Sequence, residues 1–218
     1  MPAKLRLGLS ATPDRKDGRE GVIHAHIGPV RVKSEAAPMT PRVITRKSPW
    51  QVPMTKITDK KTGKASVGPV PHSPGKCGHI INMLAKHHAR NTLLSKFIFT
   101  AFQKGRHILV QSDRIEHLEA LASMAMAYGI HPSKVGFYAR GLSKGEREVV
   151  KTKQLIFATY QMTAEATDIP RLDTLVMATP KSDVRQIVGR ILRPHKDKAE
   201  PLVLDIIDFS SNVFSSIS

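Results

Sequence analysis

Two arginines three residues apart, preceded by an amide, form the part of this sequence best suited to holding a polyphosphate: Gln186-Ile-Val-Gly189-Arg190-Ile-Leu-Arg193-Pro194. On a helix, Arg190 and Arg193 sit one turn apart, and Gln186 falls on the same face four residues before Arg190. Each guanidinium presents a planar fork of N–H donors that matches phosphate oxygens. Such groups suit the charge that develops on a phosphoryl group in transfer. Gly189 permits close backbone approach, and Pro194 ends the helix. An isolated Arg-x-x-Arg pair is more commonly a solvated basic face, so this segment gains weight from what surrounds it.

Three further strings each begin where an apolar run ends. Leu7-Gly-Leu-Ser10-Ala-Thr12-Pro13 sets small hydroxyls at a strand end, followed by Asp14-Arg-Lys-Asp-Gly18. Ile108-Leu-Val-Gln111-Ser112-Asp-Arg114 does the same with an amide and a hydroxyl. Ala158-Thr159-Tyr-Gln-Met-Thr-Ala-Glu165-Ala-Thr-Asp168-Ile-Pro170 offers a threonine for a phosphate and an aspartate for a ribose hydroxyl. The carboxyl edge of a parallel sheet is where α/β proteins bind ligands. Taken one at a time, these strings read as ordinary polar turns.

The elements that must position them form an α/β pattern. Runs at 5–9, 107–111, 154–158, 174–178 and 202–207, with a weaker one at 134–138, are apolar on consecutive positions, as strands buried on both faces of a parallel sheet are. Helical patterns separate several of them. The clearest covers 113–128, capped by Ser112, with Ile115, Leu118, Leu121, Ala122 and Ala125 as its buried stripe and Gly129 as its stop. A longer helical stretch covers 78–103, and shorter ones are expected over 144–150 and 182–192. Between 36 and 75 the chain is rich in proline and lysine, and the signal fades to a linker, a β-hairpin excursion or a disordered loop.

With 34 Lys and Arg against 18 acidic residues, the chain carries a formal charge of +16 and is drawn to polyanions. Aromatics are only 5% of residues and Trp50 is the sole tryptophan, which favours contact through the nucleic-acid backbone over base stacking. The single cysteine, Cys77, excludes an internal disulfide and fits a reducing, cytoplasmic compartment. No apolar run approaches membrane-spanning length. Cys77, His79, His87 and His88 lie close in sequence but lack a second cysteine at zinc-ligand spacing, so no metal site is expected.

In this order, the strings resemble motifs III, IV, V and VI of superfamily 2 helicases, and Leu-Ser-Ala-Thr-Pro-x-Arg-x-Asp-Gly is most similar to the branch of phage recombination helicases and XPB-type repair helicases. The stretch from Gly136 through Arg140 to Arg147 resembles the loop that follows motif IV. The resemblance implies a RecA-like α/β fold: a parallel sheet flanked by helices, with an irregular or β-hairpin N-terminal excursion. Residues 1–32 would be a remnant of a first RecA-like lobe, 33–76 the linker or hairpin, and 77–218 the C-terminal lobe. It further implies that Gln186, Arg190 and Arg193 face ATP, the two arginines as finger candidates. Asp168 and Gly189 would lie at the nucleotide. Gln111, Ser112, Thr159 and Arg140 would lie at the nucleic-acid backbone, and Ser10 and Thr12 would couple the two sites. Ala166 stands where the family often has glycine. The Gly-x-x-x-x-Gly-Lys-Ser/Thr loop and the acidic magnesium motif do not occur in the sequence. ATP and Mg would therefore be held with a separately encoded first lobe, on DNA or RNA. The alternative is a basic nucleic-acid-binding module without hydrolysis.

Overall fold

The computed structural model describes residues 6–8, 18–32, 40–58, 63–70, 77–138, 141–166, 169–182 and 184–208. The chain divides into two compact units, Met1–Pro38 and Met39–Ser218. In the first, helix α1 (Glu20–Ile27) is mostly exposed. Residues 6–8 lie outside any strand, and Leu7 is 81% exposed. The strand expected over 5–9 is thus not seen among the described residues. A lone apolar run has no neighbouring strand to satisfy its backbone groups.

The second unit is built on six strands: β1 (Arg42–Lys47), β4 (Ile108–Ser112), β5 (Val135–Tyr138), β6 (Leu155–Thr159), β7 (Thr174–Met177) and β8 (Leu202–Ile207). They pair in parallel in the order β1-β8-β7-β4-β6-β5. Two short strands, β2 (Met54–Thr58) and β3 (Ala65–Pro69), form a separate antiparallel hairpin, which bears out the expected excursion. β1 is not among the strands legible in the sequence. It is an edge strand, exposed at most positions, and its register is fixed by pairing with β8 alone.

Helices cover both faces. Ile108, Val110, Phe157, Val176 and Leu204 point to one side, under α3 (His88–Gln103) and α4 (Ile115–Ala127). Leu109, Ile156, Leu175 and Val203 point to the other, under Val150 of α5 (Lys144–Lys151), Tyr160 of α6 (Tyr160–Ala166) and Ile187 and Ile191 of α7 (Arg185–Ile191). The alternation along each strand explains why these runs carry no polar face. No helix of the described residues is long and apolar enough to cross a membrane.

Several expected helices differ in detail. The stretch 78–103 is two helices, α2 (Gly78–Ala85) and α3, broken at Lys86 and His87, whose Nδ1 accepts the Arg90 N–H at 3.3 Å. α4 begins at Ile115, which is 58% exposed; Leu118, Leu121, Ala122 and Ala125 are buried as expected. Gly129, at φ 103°, ends it in a conformation that favours glycine. α2 packs under the hairpin region through Ile80 and Leu84 against Trp50 and Val52.

Two consecutive residues of α3 tie together the carboxyl ends of three strands. Arg90 is fully buried; its Nε and Nη2 donate to Oδ1 and Oδ2 of Asp208 at 3.0 and 3.1 Å, and Nη1 donates to the Ala178 carbonyl at 2.6 Å. Asn91 donates to the Ala85 carbonyl at 2.7 Å, and its Oδ1 lies 3.0 Å from Nε2 of His117. His117 Nδ1 is 3.0 Å from Ser112 Oγ. Because Asn91 Oδ1 only accepts, Nε2 carries the ring proton, and Nδ1 accepts from the Ser112 hydroxyl. Burial first, and then the Arg90 charge, hold the imidazole pKa down to about 3.

Removing one partner of the buried ion pair strands the other. Arg90→Met is expected to cost about 3–5 kcal/mol in urea unfolding. Arg90→Met with Asp208→Leu should recover most of that loss; a double variant no more stable than the single would refute this account. The unfolded chain protonates His117 near its ordinary value of 6.5, whereas the folded chain does so only near 3. Between those values the unfolded state holds more protons, so stability is present above pH 6.5 and falls as the pH is lowered. The expected loss from this group is roughly 2 kcal/mol between pH 7 and 5. His117→Gln should therefore flatten the fall in Tm over that range, and an unchanged slope would count against a buried neutral histidine.

Candidate nucleic-acid and nucleotide edge

The carboxyl edge of the sheet brings together the ends of β4 and β6, and with them the strings that begin at Ile108 and Ala158. β4 ends in Gln111 and Ser112, both with no exposed surface. Gln111 Nε2 donates to Thr163 Oγ1 at 2.6 Å, and Thr163 Oγ1 donates to the Thr159 carbonyl at 3.0 Å. Thr159, the last residue of β6, accepts the Met162 N–H on its Oγ1 at 3.3 Å. This caps α6, a helix in a segment that reads as a polar loop in sequence. Ser112 Oγ accepts the Arg114 N–H at 3.1 Å, besides its bond to His117. Gln111 and Ser112 therefore lie beneath the surface of this edge. Gln111 Nε2 and the Ser112 hydroxyl are engaged in internal bonds, while Gln111 Oε1 is buried without a partner.

Beside them lies a cleft of about 550 Å³ at the ends of β4, β5 and β6. Its floor includes the buried Leu118 and Phe157, the latter stacked on Phe137 with centroids 5.3 Å apart. Ile115 and Met162 add apolar wall, and Asp113, Arg147, Thr159 and Gln161 supply the polar groups. Arg147 is half-buried, and its Nε has no hydrogen-bond partner. A buried N–H without an acceptor costs free energy that an incoming oxyanion would recover. The residue is held in the first turn of α5 by a capping box. Ser143 Oγ accepts the Glu146 N–H at 3.3 Å, and Glu146 Oε2 accepts the Ser143 N–H at 2.8 Å. Hydrogen bonding to Ser143 lowers the Glu146 pKa.

The Asp113 carboxylate is partly offset. Lys181 Nζ stands 3.9 Å from Asp113 Oδ1 and 5.2 Å from the centre of the Tyr160 ring. The Tyr160 hydroxyl donates to the Thr179 carbonyl at 2.6 Å, and burial holds its pKa well above that of an ordinary phenol. Thr179 Oγ1 in turn accepts the Asp113 N–H at 3.0 Å. These bonds cross-link the ends of β4, β6 and β7.

The arginine segment differs from its expected geometry. α7 stops at Ile191, with Leu192 as its C-cap, so Arg193 lies past the helix and does not share a helical face with Arg190. The residue before a proline is disfavoured in the α conformation, and Arg193 precedes Pro194. Both arginines are half-buried, and the Arg193 carbonyl accepts from Lys198 Nζ at 2.7 Å. Ile187 and Ile191 anchor α7 to the core. Gln186 belongs to α7, but only its backbone is described. Gly189 is exposed, and a Cβ there would meet nothing within 4 Å. Any need for close backbone approach would have to come from outside the chain. Ser10, Thr12, Arg140 and Asp168 lie outside the described residues. Sequence reasoning missed Thr163, His117 and Asn91. The spacing of Thr163 four residues after Thr159, and of His117 four before Leu121 in the buried stripe, was the available signal.

No protein-family model matches the chain. Over all 218 residues it is 27% identical to a protein of Acanthamoeba polyphaga mimivirus named "Putative ATP-dependent RNA helicase L396", and it spans 41% of that protein's length. The crystal structure of T4 UvsW matches at 25% identity with a TM-score of 0.50, over 60% of this chain and 28% of that one. The C-terminal domain of the DEAD-box protein Dbp5 matches at 13% identity with a TM-score of 0.44, over 57% of this chain and 73% of that one. The motif order, the parallel sheet and the likeness to the phage protein agree: this chain is similar in sequence and fold to the C-terminal RecA-like lobe of superfamily 2 helicases.

Proposed function

We propose that the chain serves as the second motor lobe of an ATP-dependent DNA helicase or translocase, completing its ATP site with a first RecA-like lobe. The observation that carries this reading is the meeting, at one sheet edge, of a cleft containing Thr159 and an Arg147 donor without an acceptor. In this reading Arg147, Thr159 and Arg140 meet the phosphate backbone, while Gln111 and Ser112 support them from inside. Arg190 and Arg193 face the nucleotide as finger candidates, with Gln186, Gly189 and Asp168 beside them. Ser10 and Thr12 couple the two sites. Bound ATP supplies the phosphoryl group, and Mg is held by the first lobe. This chain's part is to place guanidinium charge against the phosphates.

A second reading, a basic module that binds nucleic acid without hydrolysis, is favoured by the +16 charge. The two differ in what a first lobe does. Mixing the chain with a RecA-like first lobe should raise nucleic-acid-stimulated ATP hydrolysis above that of either part, and Arg193→Ala should remove about a thousandfold or more of that rate. No gain on mixing, or a gain that Arg193→Ala leaves untouched, would favour the binding module. The relative matched over the whole chain is named for RNA, so DNA and RNA oligonucleotides of one sequence belong in the same assay. Tighter binding or stronger stimulation by RNA would reassign the substrate. Under either reading, Arg147→Gln should lower the slope of log affinity against log salt by about 0.7 on a single strand, as one released counterion is lost. An unchanged slope would remove Arg147 from the phosphate track.

A further inference from the structure

Gln111 is an uneconomical residue for the position it holds. It has no exposed surface, its Nε2 donates to Thr163, and its Oε1 is buried with no hydrogen-bond partner. A methionine of similar length would fill the same space without burying an unsatisfied carbonyl. The amide therefore answers to something other than core stability.

Its one bond begins a relay whose direction is fixed by chemistry. Thr163 Oγ1 spends its single proton on the Thr159 carbonyl, so it can only accept from Gln111. Thr159 Oγ1 accepts from the Met162 N–H and so keeps its own proton to donate. That hydroxyl belongs to a residue lining the cleft, at the end of β6 and the start of α6. β4 and β6 are hydrogen-bonded neighbours, with Gln111 paired opposite Ala158 and Ser112 opposite Thr159. The Gln111–Thr163 bond adds a side-chain link from β4 to the first turn of α6. It pins that turn to the strand that does not move with it through the backbone.

We propose that Gln111 is a positioning residue: through Thr163 it locks the first turn of α6 so that the Thr159 hydroxyl is held to donate to a nucleic-acid phosphate. This rests on the reading that Thr159 meets the backbone. It differs from that reading in assigning the geometry of the contact to a buried amide that never touches the ligand.

The test uses the full chain and a fluorescently labelled single-stranded oligonucleotide, titrated at several salt concentrations. Thr159→Val, Gln111→Met and Thr163→Val should each weaken binding by about tenfold, the scale of one hydrogen bond to a charged group. Thr163→Ser, which keeps the hydroxyl, should bind as the parent does. None of the four should change the salt slope, because a hydroxyl contact releases no counterion. A general loss of structure would disturb the arginine and lysine contacts and change that slope. If Thr159→Val weakens binding while Gln111→Met and Thr163→Val do not, the relay is wrong and the contact stands. If Thr159→Val binds as the parent does, or the parent does not bind, the contact reading fails and the relay with it. Should Gln111→Met not fold, Thr163→Val and Thr163→Ser carry the comparison. In the unmutated chain, the NMR signals of the Gln111 side-chain amide should shift on adding oligonucleotide, and signals that stay in place would overturn the proposal.

Discussion

A guanidinium with no exposed surface is tolerated in a protein interior only when its charge is met and its donors are occupied, because desolvation alone costs several kcal/mol. Arg90 meets both conditions through the bidentate Asp208 carboxylate and the Ala178 carbonyl. Asp208 follows β8, and Ala178 follows β7, so one side chain of α3 fixes where two neighbouring strands stop. The next residue, Asn91, reaches the end of β4 through His117 and Ser112. A single turn of one helix thus sets the carboxyl edge on which the cleft and the segment leading to α7 depend. An apolar replacement could match such a pair in stability, but it would not specify two strand ends at once.

That edge separates two kinds of polar group. Those inside, namely Gln111, Ser112, His117, Thr163 and Asn91, are buried and bonded to one another or to backbone. Those at the cleft, Arg147, Thr159 and Gln161, are partly or largely exposed. The first set holds geometry, since in a low-dielectric interior each bond is costly to break. The second can exchange solvent for a ligand at little cost. The neutral state of His117 belongs to this division: a charged imidazole beside Arg90 would set like charges together in the core.

The strands of the sheet interior were legible because both of their faces are buried, which leaves consecutive apolar residues in β4, β6, β7 and β8. β1 was not, because Arg-Val-Ile-Thr-Arg-Lys at a sheet edge buries almost nothing and owes its structure to pairing with β8. The break between α2 and α3 was hidden because apolar periodicity continues across it, and a histidine cap is not a usual stop signal. At the site, residue type gave the location but not the role. Gln111 and Ser112 are polar residues at a strand end, which reads as ligand contact; only tertiary burial turns them inward. Ser10, Thr12, Arg140 and Asp168 rest on the motif resemblance alone.

The two arginines show how a proline can change the meaning of a spacing. At i and i+3 on a continuous helix they would move as one body. Here Arg190 rides on α7, whose Ile187 and Ile191 are packed into the core, whereas Arg193 follows the C-cap and is set by the turn before Pro194. Lys198, which donates to the Arg193 carbonyl and to that of Pro170, ties this turn to the segment before β7. In the proposed motor lobe, a shift of α7 would carry Arg190 directly, but it would reach Arg193 only through Leu192 and the turn. The pair is therefore better suited to two separate contacts with a polyphosphate than to one shared grip. The division follows from the chain's own geometry: a helix that stops three residues before its proline gives its arginines different supports.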